Sequence, residues 1–154
     1  NSYKSILPTI KSRCLNFKIN LDFEKSITIT NKLINNDILQ LLNKDLINYY
    51  NTPGEYINLI NFSSENNIDI KGNNLHNFIK ILIKENFYKK NSFINLYIFN
   101  FIELYFLKKF YQSNYKNKIY INYSNFIKKF NYTKQFNLDI ETLFMEFQSK
   151  ILNE

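Results

Sequence analysis

The amino-acid sequence predicts a mainly α-helical chain with one short strand near its start, and three observations carry that prediction. Chain-breaking residues are scarce: 154 residues hold two prolines and two glycines, Pro8, Pro53, Gly54 and Gly72. Beyond Gly72, apolar residues recur at three- and four-residue spacing, the period of a helix face. At 45% hydrophobic, 18% aromatic and 21% charged, the chain is far too apolar to stay disordered.

The strand comes first. Leu15, Phe17 and Ile19 alternate with Asn16 and Lys18, the period-two signature of a half-buried strand whose sheet is mostly absent from this sequence. Residues 22–34 read both ways. Ser26-Ile27-Thr28-Ile29-Thr30 alternates like a strand, while Phe23, Ile27, Thr30 and Ile34 share one helical face, and we read the segment as helix. A second helix is expected over 45–50 with Asp45 as its N-cap. The clearest local signal is Thr52-Pro53-Gly54-Glu55. Thr52 can cap, Pro53 fits the first helical position, and Glu55 can reach back to complete a capping box. Tyr56, Leu59 and Ile60 continue that helix, and Ser63 to Asn67 reads as a polar loop, which puts a boundary between 63 and 74.

After Gly72, Leu75, Phe78, Ile79, Leu82 and Ile83 form one apolar face behind the candidate caps Asn73 and Asn74. Residues 93–111 are apolar nearly all round and are expected to lie centrally. A mixed helix is expected over 119–131. A last one opens at Asn137, with Asp139 and Glu141 in its first turn and Lys150 in its last, as the macrodipole favours. Four helices with short connections make a bundle.

Composition also bounds function. A net charge of +7 and a pI near 9.3 suit a nucleic-acid partner, but the lysines fall in ones and twos, and Asn, Lys, Ile, Tyr and Phe are over-used throughout, as AT-rich coding would produce. One cysteine forms no internal disulfide, and the first residues show no signal peptide, so a cytoplasmic location is expected. Asn95, Asn100, Glu103, Lys108 and Lys109 interrupt the most apolar stretch, which argues against a membrane span. Gly54 and Gly72 are too far apart for a phosphate-cradling P-loop. His76, the lone histidine, has no Cys or His partner for a metal and reads as a surface or boundary side chain. Asp139 and Glu141, two apart, point to different sides of a helix and suit its first turn better than acid–base work.

One residue stands apart. Arg13 is the only arginine among 20 Lys and Arg. A guanidinium is planar, permanently charged and able to grip phosphate oxygens bidentately, which an ammonium cannot do. The opposing reading, an ordinary surface ion pair, is the default for any single residue. The neighbours shift that balance.

The run Leu7-Pro8-Thr9-Ile10-Lys11-Ser12-Arg13-Cys14, followed by a short strand with Phe17, resembles the Ser-Arg-Cys arginine-finger motif of clamp-loader subunits in the AAA+ family. Asn51-Thr52-Pro53-Gly54 resembles that family's lid segment, at about the expected distance. The resemblance implies the end of an AAA+ α/β domain over residues 1–20, a small helical lid over 21–68 and a helical collar bundle over 69–154. In the ATP-hydrolysing gamma/tau type, the lid segment carries a nucleotide-sensing arginine. Glu55 and its neighbours offer none, so the match is better to the non-hydrolysing delta-prime type of bacterial DNA polymerase III.

That resemblance implies that Arg13 acts in trans on a neighbour's ATP site, stabilising charge on the transferring phosphoryl group. Ser12 and Cys14 would set the turn that aims it, with Pro8 and Thr9 as motif support and Thr52, Pro53 and Gly54 as the lid motif. Cys14 reads as a small buried side chain. The chain itself would hold no cofactor, ATP and Mg being bound by the neighbouring subunit. Expected partners are gamma/tau and delta subunits, with the sliding clamp met through the assembled complex and DNA contact indirect. A gamma/tau-type ATPase and a stand-alone helical interaction module remain the alternatives.

Overall fold

The computed structural model describes residues 21–152, which form eight α-helices and, among the described residues, no strand. The expected strand over 15–19 lies outside them.

Helix α1, Phe23–Ile34, settles the two-way reading of its segment. Asp22 caps it, accepting from the Lys25 N–H at 2.8 Å. Its β-branched residues fit because the Thr28 and Thr30 hydroxyls donate to the carbonyls four residues back, at 2.8 and 2.7 Å. Ser26, Ile27 and Thr30 face inward. A single-turn helix α2, Ile38–Leu41, follows behind the cap Asp37.

The helix expected over 45–50 is instead a short 3-10 turn, Lys44–Leu46, capped by Asn43 rather than Asp45. The fully buried Leu46 anchors the turn. Lys108 holds it from outside, its Nζ donating to the Asp45 carbonyl at 2.9 Å and carboxylate at 3.1 Å. Ile47, with φ −79° and ψ 120°, is extended and ends the turn there.

Helix α3, Pro53–Glu65, begins where the sequence places it. It runs further than expected. Ser63, assigned to a polar loop, lies in the helix and is buried, because its hydroxyl donates to the Leu59 carbonyl at 2.8 Å and so needs no water. A turn through residues 66–74 leads to α4, Leu75–Lys84, whose cap is Asn74. One turn, α5, Phe87–Lys90, precedes the long α6, Ser92–Gln112, which Asn91 caps. Helix α7, Lys116–Gln135, is longer at both ends than expected.

The last helix, α8, Ile140–Phe147, opens three residues later than expected. Asn137 has φ 49°, a left-handed conformation that closes α7, with the Leu138 N–H reaching back to the Thr133 carbonyl at 2.9 Å. Asp139 is the cap of α8, and Lys150 falls in a π-helical turn, Gln148–Leu152, beyond it.

Helix stops share one chemistry. Asn35, Asn67, Asn86 and Asn137 all have positive φ, between 49° and 56°, and all follow α-helices, whereas neither glycine does. Asparagine tolerates the left-handed region better than other side chains, so it replaces glycine as the stop signal here.

Helix α3 packs on α1, while α6 is the central rod, packing on α4, α5 and α7, and α7 packs on α8. The core mixes Ile and Leu with clustered aromatic rings. Phe99 of α6 lies 3.7 Å from Phe130 and 5.6 Å from Phe144, and Phe144 lies 4.5 Å from Tyr88, measured between ring centroids. The core is continuous from Ile27 to Leu152, across the expected boundary at 68/69, where the Phe62 and Phe87 rings meet edge-on at 5.1 Å. No helix of the described residues is long and apolar enough to cross a membrane.

Candidate functional site

Of the site residues expected from the sequence, Pro8, Thr9, Ser12, Arg13 and Cys14 lie outside the described residues. Thr52, Pro53 and Gly54 are within them, at the start of α3.

The approach to that helix is fixed from both sides. The Ser26 hydroxyl of α1 donates to the Asn51 carbonyl at 2.8 Å in a buried setting. The Tyr56 hydroxyl donates to the Asn48 carbonyl at 2.7 Å, and the Phe23 and Tyr49 rings lie 4.6 Å apart. Burial pushes the Tyr56 phenol up to about 12, because its anion would lose water without gaining a cation.

Thr52 then donates its N–H to Glu55 Oε2 at 2.7 Å, while the Glu55 N–H is directed back at the Thr52 carbonyl at 3.1 Å. Pro53 is buried and has no N–H, and Gly54 is exposed, with open space where a Cβ would stand. Neither packing nor backbone conformation therefore demands glycine at 54. The Glu55 carboxylate also acts on the Tyr97 hydroxyl of α6. Burial first, and Glu55 next, hold the Tyr97 phenol well above its ordinary range.

Chemically, this helix start is a joint. Its positive end is answered by the chain's own Glu55 carboxylate, which leaves little field for an outside phosphate. Tyr97 is the partner that sequence reasoning missed. It belongs to an apolar stretch whose spacing signals only burial.

His76 sits half-buried on α4, its ring centroid 5.9 Å from that of Tyr105 on α6. Burial foremost, then the Lys80 and Lys109 charges, hold its pKa below the usual imidazole range. Asp139 caps α8, and Glu141 pairs across to Lys89, so neither forms an acid–base pair with the other. Among the described residues, no three His, Cys, Asp or Glu side chains are grouped to hold a metal ion.

Comparison with protein-family models finds no match, and neither curated protein sequences nor solved structures give one.

Proposed function

We propose that this chain is a delta-prime-type subunit of a bacterial clamp loader, which does not hydrolyse ATP itself but completes the ATPase site of an adjacent gamma/tau subunit. The observation that carries the reading is the run Leu7-Pro8-Thr9-Ile10-Lys11-Ser12-Arg13-Cys14, in which the only arginine of the chain stands at the finger position. A chain that otherwise uses lysine for every positive charge keeps a guanidinium where bidentate phosphate contact would be made. The helical architecture from residue 21 onward and the capped start of α3 at Pro53 are consistent with a lid and collar. The self-neutralised joint at Glu55 suits a lid that senses no nucleotide.

In this reading, Arg13 stabilises charge on the γ-phosphoryl group in the neighbour's site, where ATP and Mg are held by that neighbour. Helices α4–α8 supply side-by-side contacts with gamma/tau and delta subunits, and the assembled ring opens the sliding clamp and places it on primed DNA.

The test is clamp- and DNA-stimulated ATP hydrolysis by a reconstituted loader that contains the full-length subunit. Arg13→Ala and Arg13→Lys are each expected to lower turnover at the neighbouring site on the order of a thousandfold, with assembly and nucleotide binding intact. Unchanged turnover in both variants overturns the finger and leaves a helical scaffold.

A further inference from the structure

Between α6, the first half of α7 and the loop before α3 lies a hollow of about 480 Å³. Phe106 of α6 lines it from the core, buried, with its ring 5.4 Å from that of Tyr123 on α7. Leu107 of α6, Tyr120 of α7 and Tyr50 of the loop line it from outside, and all three are exposed. Three elements thus leave apolar surface in water around one concavity. Its volume is that of a site for a small organic molecule.

One charge lies among these rings. Among the described residues that line the hollow, Glu103 is the only charged side chain. No lysine of the described residues lies within ion-pair distance of it. The Tyr123 hydroxyl donates to Glu103 Oε1 at 3.4 Å, which leaves the carboxylate with capacity for a stronger donor. The faces of tyrosine and phenylalanine rings also attract a cation. A carboxylate set beside such rings in an otherwise apolar wall selects its ligand by the sign of the charge.

We propose that this hollow binds a small organic ammonium with an apolar body, its cationic head between Glu103 and the Tyr120 and Tyr123 rings and its body against Phe106 and Leu107. A neutral apolar molecule would take water from Glu103 without replacing it, and an anion would add repulsion to that cost. A peptide needs polar partners along its main chain. Besides Glu103 and the tyrosine hydroxyls, the described lining offers only the Asn48 and Asn100 amides. The inference stands on this hollow alone and depends neither on the role of Arg13 nor on contacts with other subunits.

The test is titration of the full chain, by calorimetry and proton NMR, with phenethylamine, phenethyl alcohol and phenylacetate, three phenyl compounds that are positive, neutral and negative at neutral pH. The amine is expected to bind tightest and the acid weakest, with nuclear Overhauser contacts from the phenyl protons of the amine to the Phe106 ring. Glu103→Gln keeps the size of the side chain and removes its charge. It is expected to weaken the amine about fivefold and to leave the alcohol unchanged. Glu65→Gln, at an exposed carboxylate outside the hollow, makes the same change in net charge and is expected to alter neither. Tyr120→Ala removes an exposed ring that the core does not need, and it is expected to weaken the amine more than the alcohol.

No binding of the amine at millimolar concentration, equal affinity for the three compounds, equal effects of the two glutamine variants, or Overhauser contacts to another face would each overturn the proposal. Self-association that excludes the amine would give the hollow to a second copy of the chain and overturn it too. So would tighter binding by an apolar peptide that carries a lysine, which would give the hollow to a protein partner.

Discussion

Replacing Tyr56 by Phe removes one oxygen from the joint between α1, α3 and the loop before them. The ring is fully buried, and its hydroxyl donates to the Asn48 carbonyl at 2.7 Å. Phe fills the same space, so the cost is that of the lost hydrogen bond and of the Asn48 carbonyl left without this donor. That cost is about 1–2 kcal/mol, which lowers the melting temperature of a chain this size by about 2–8 °C. Urea unfolding followed by circular dichroism at 222 nm measures it.

The pH dependence sharpens the same test. The folded phenol titrates at about 12, against an ordinary value of 10.0. A raised pKa means that the folded state holds the proton more tightly. The contribution of this group to stability is therefore complete below pH 10 and is lost as pH rises from 10 towards 12. Tyr56→Phe lacks that loss, so the gap between the two proteins should narrow over the same interval. The other tyrosines titrate in both proteins and largely cancel. A midpoint unchanged at pH 7, or a gap that widens above pH 10, would refute the reasoning.

Two further substitutions probe the bundle and its stops. Phe144→Ala removes a fully buried ring that touches both Tyr88 and Phe99, and a loss of about 3–5 kcal/mol is expected in the same urea assay. At Asn137, with φ 49°, glycine should stabilise by about 0.5–1 kcal/mol and alanine should destabilise by about 1 kcal/mol; the reverse order would remove the stop-signal account of asparagine.

Local chemistry was the most legible part of the fold. Asn74 caps a helix and Thr52-Pro53 opens one where the sequence places them, because a cap acts on N–H groups two or three residues away and needs no distant partner. The central position of α6 was legible too, since a helix apolar on every side has nowhere else to go. Asn137 was misread as a helix start because asparagine serves both ends of a helix. Only the backbone angle, fixed by the carbonyls behind it, separates a stop from a cap. Of the site, the start of α3 was legible, but its tie to Tyr97 was not, because that partner is remote in sequence.

The sequence by itself determined a helical chain, where four of its eight described α-helices begin, and the single arginine within Leu7-Pro8-Thr9-Ile10-Lys11-Ser12-Arg13-Cys14. Caps, periodicity and motif each act over a few residues, which is why a linear reading captures them. Tertiary structure alone decided that Ser63 is buried, that Asp45 holds Lys108, and that His76 of α4 meets Tyr105 of α6. Those outcomes depend on which helix faces meet, and groups far apart along the chain, such as Asp45 and Lys108, interact only after packing has brought them together.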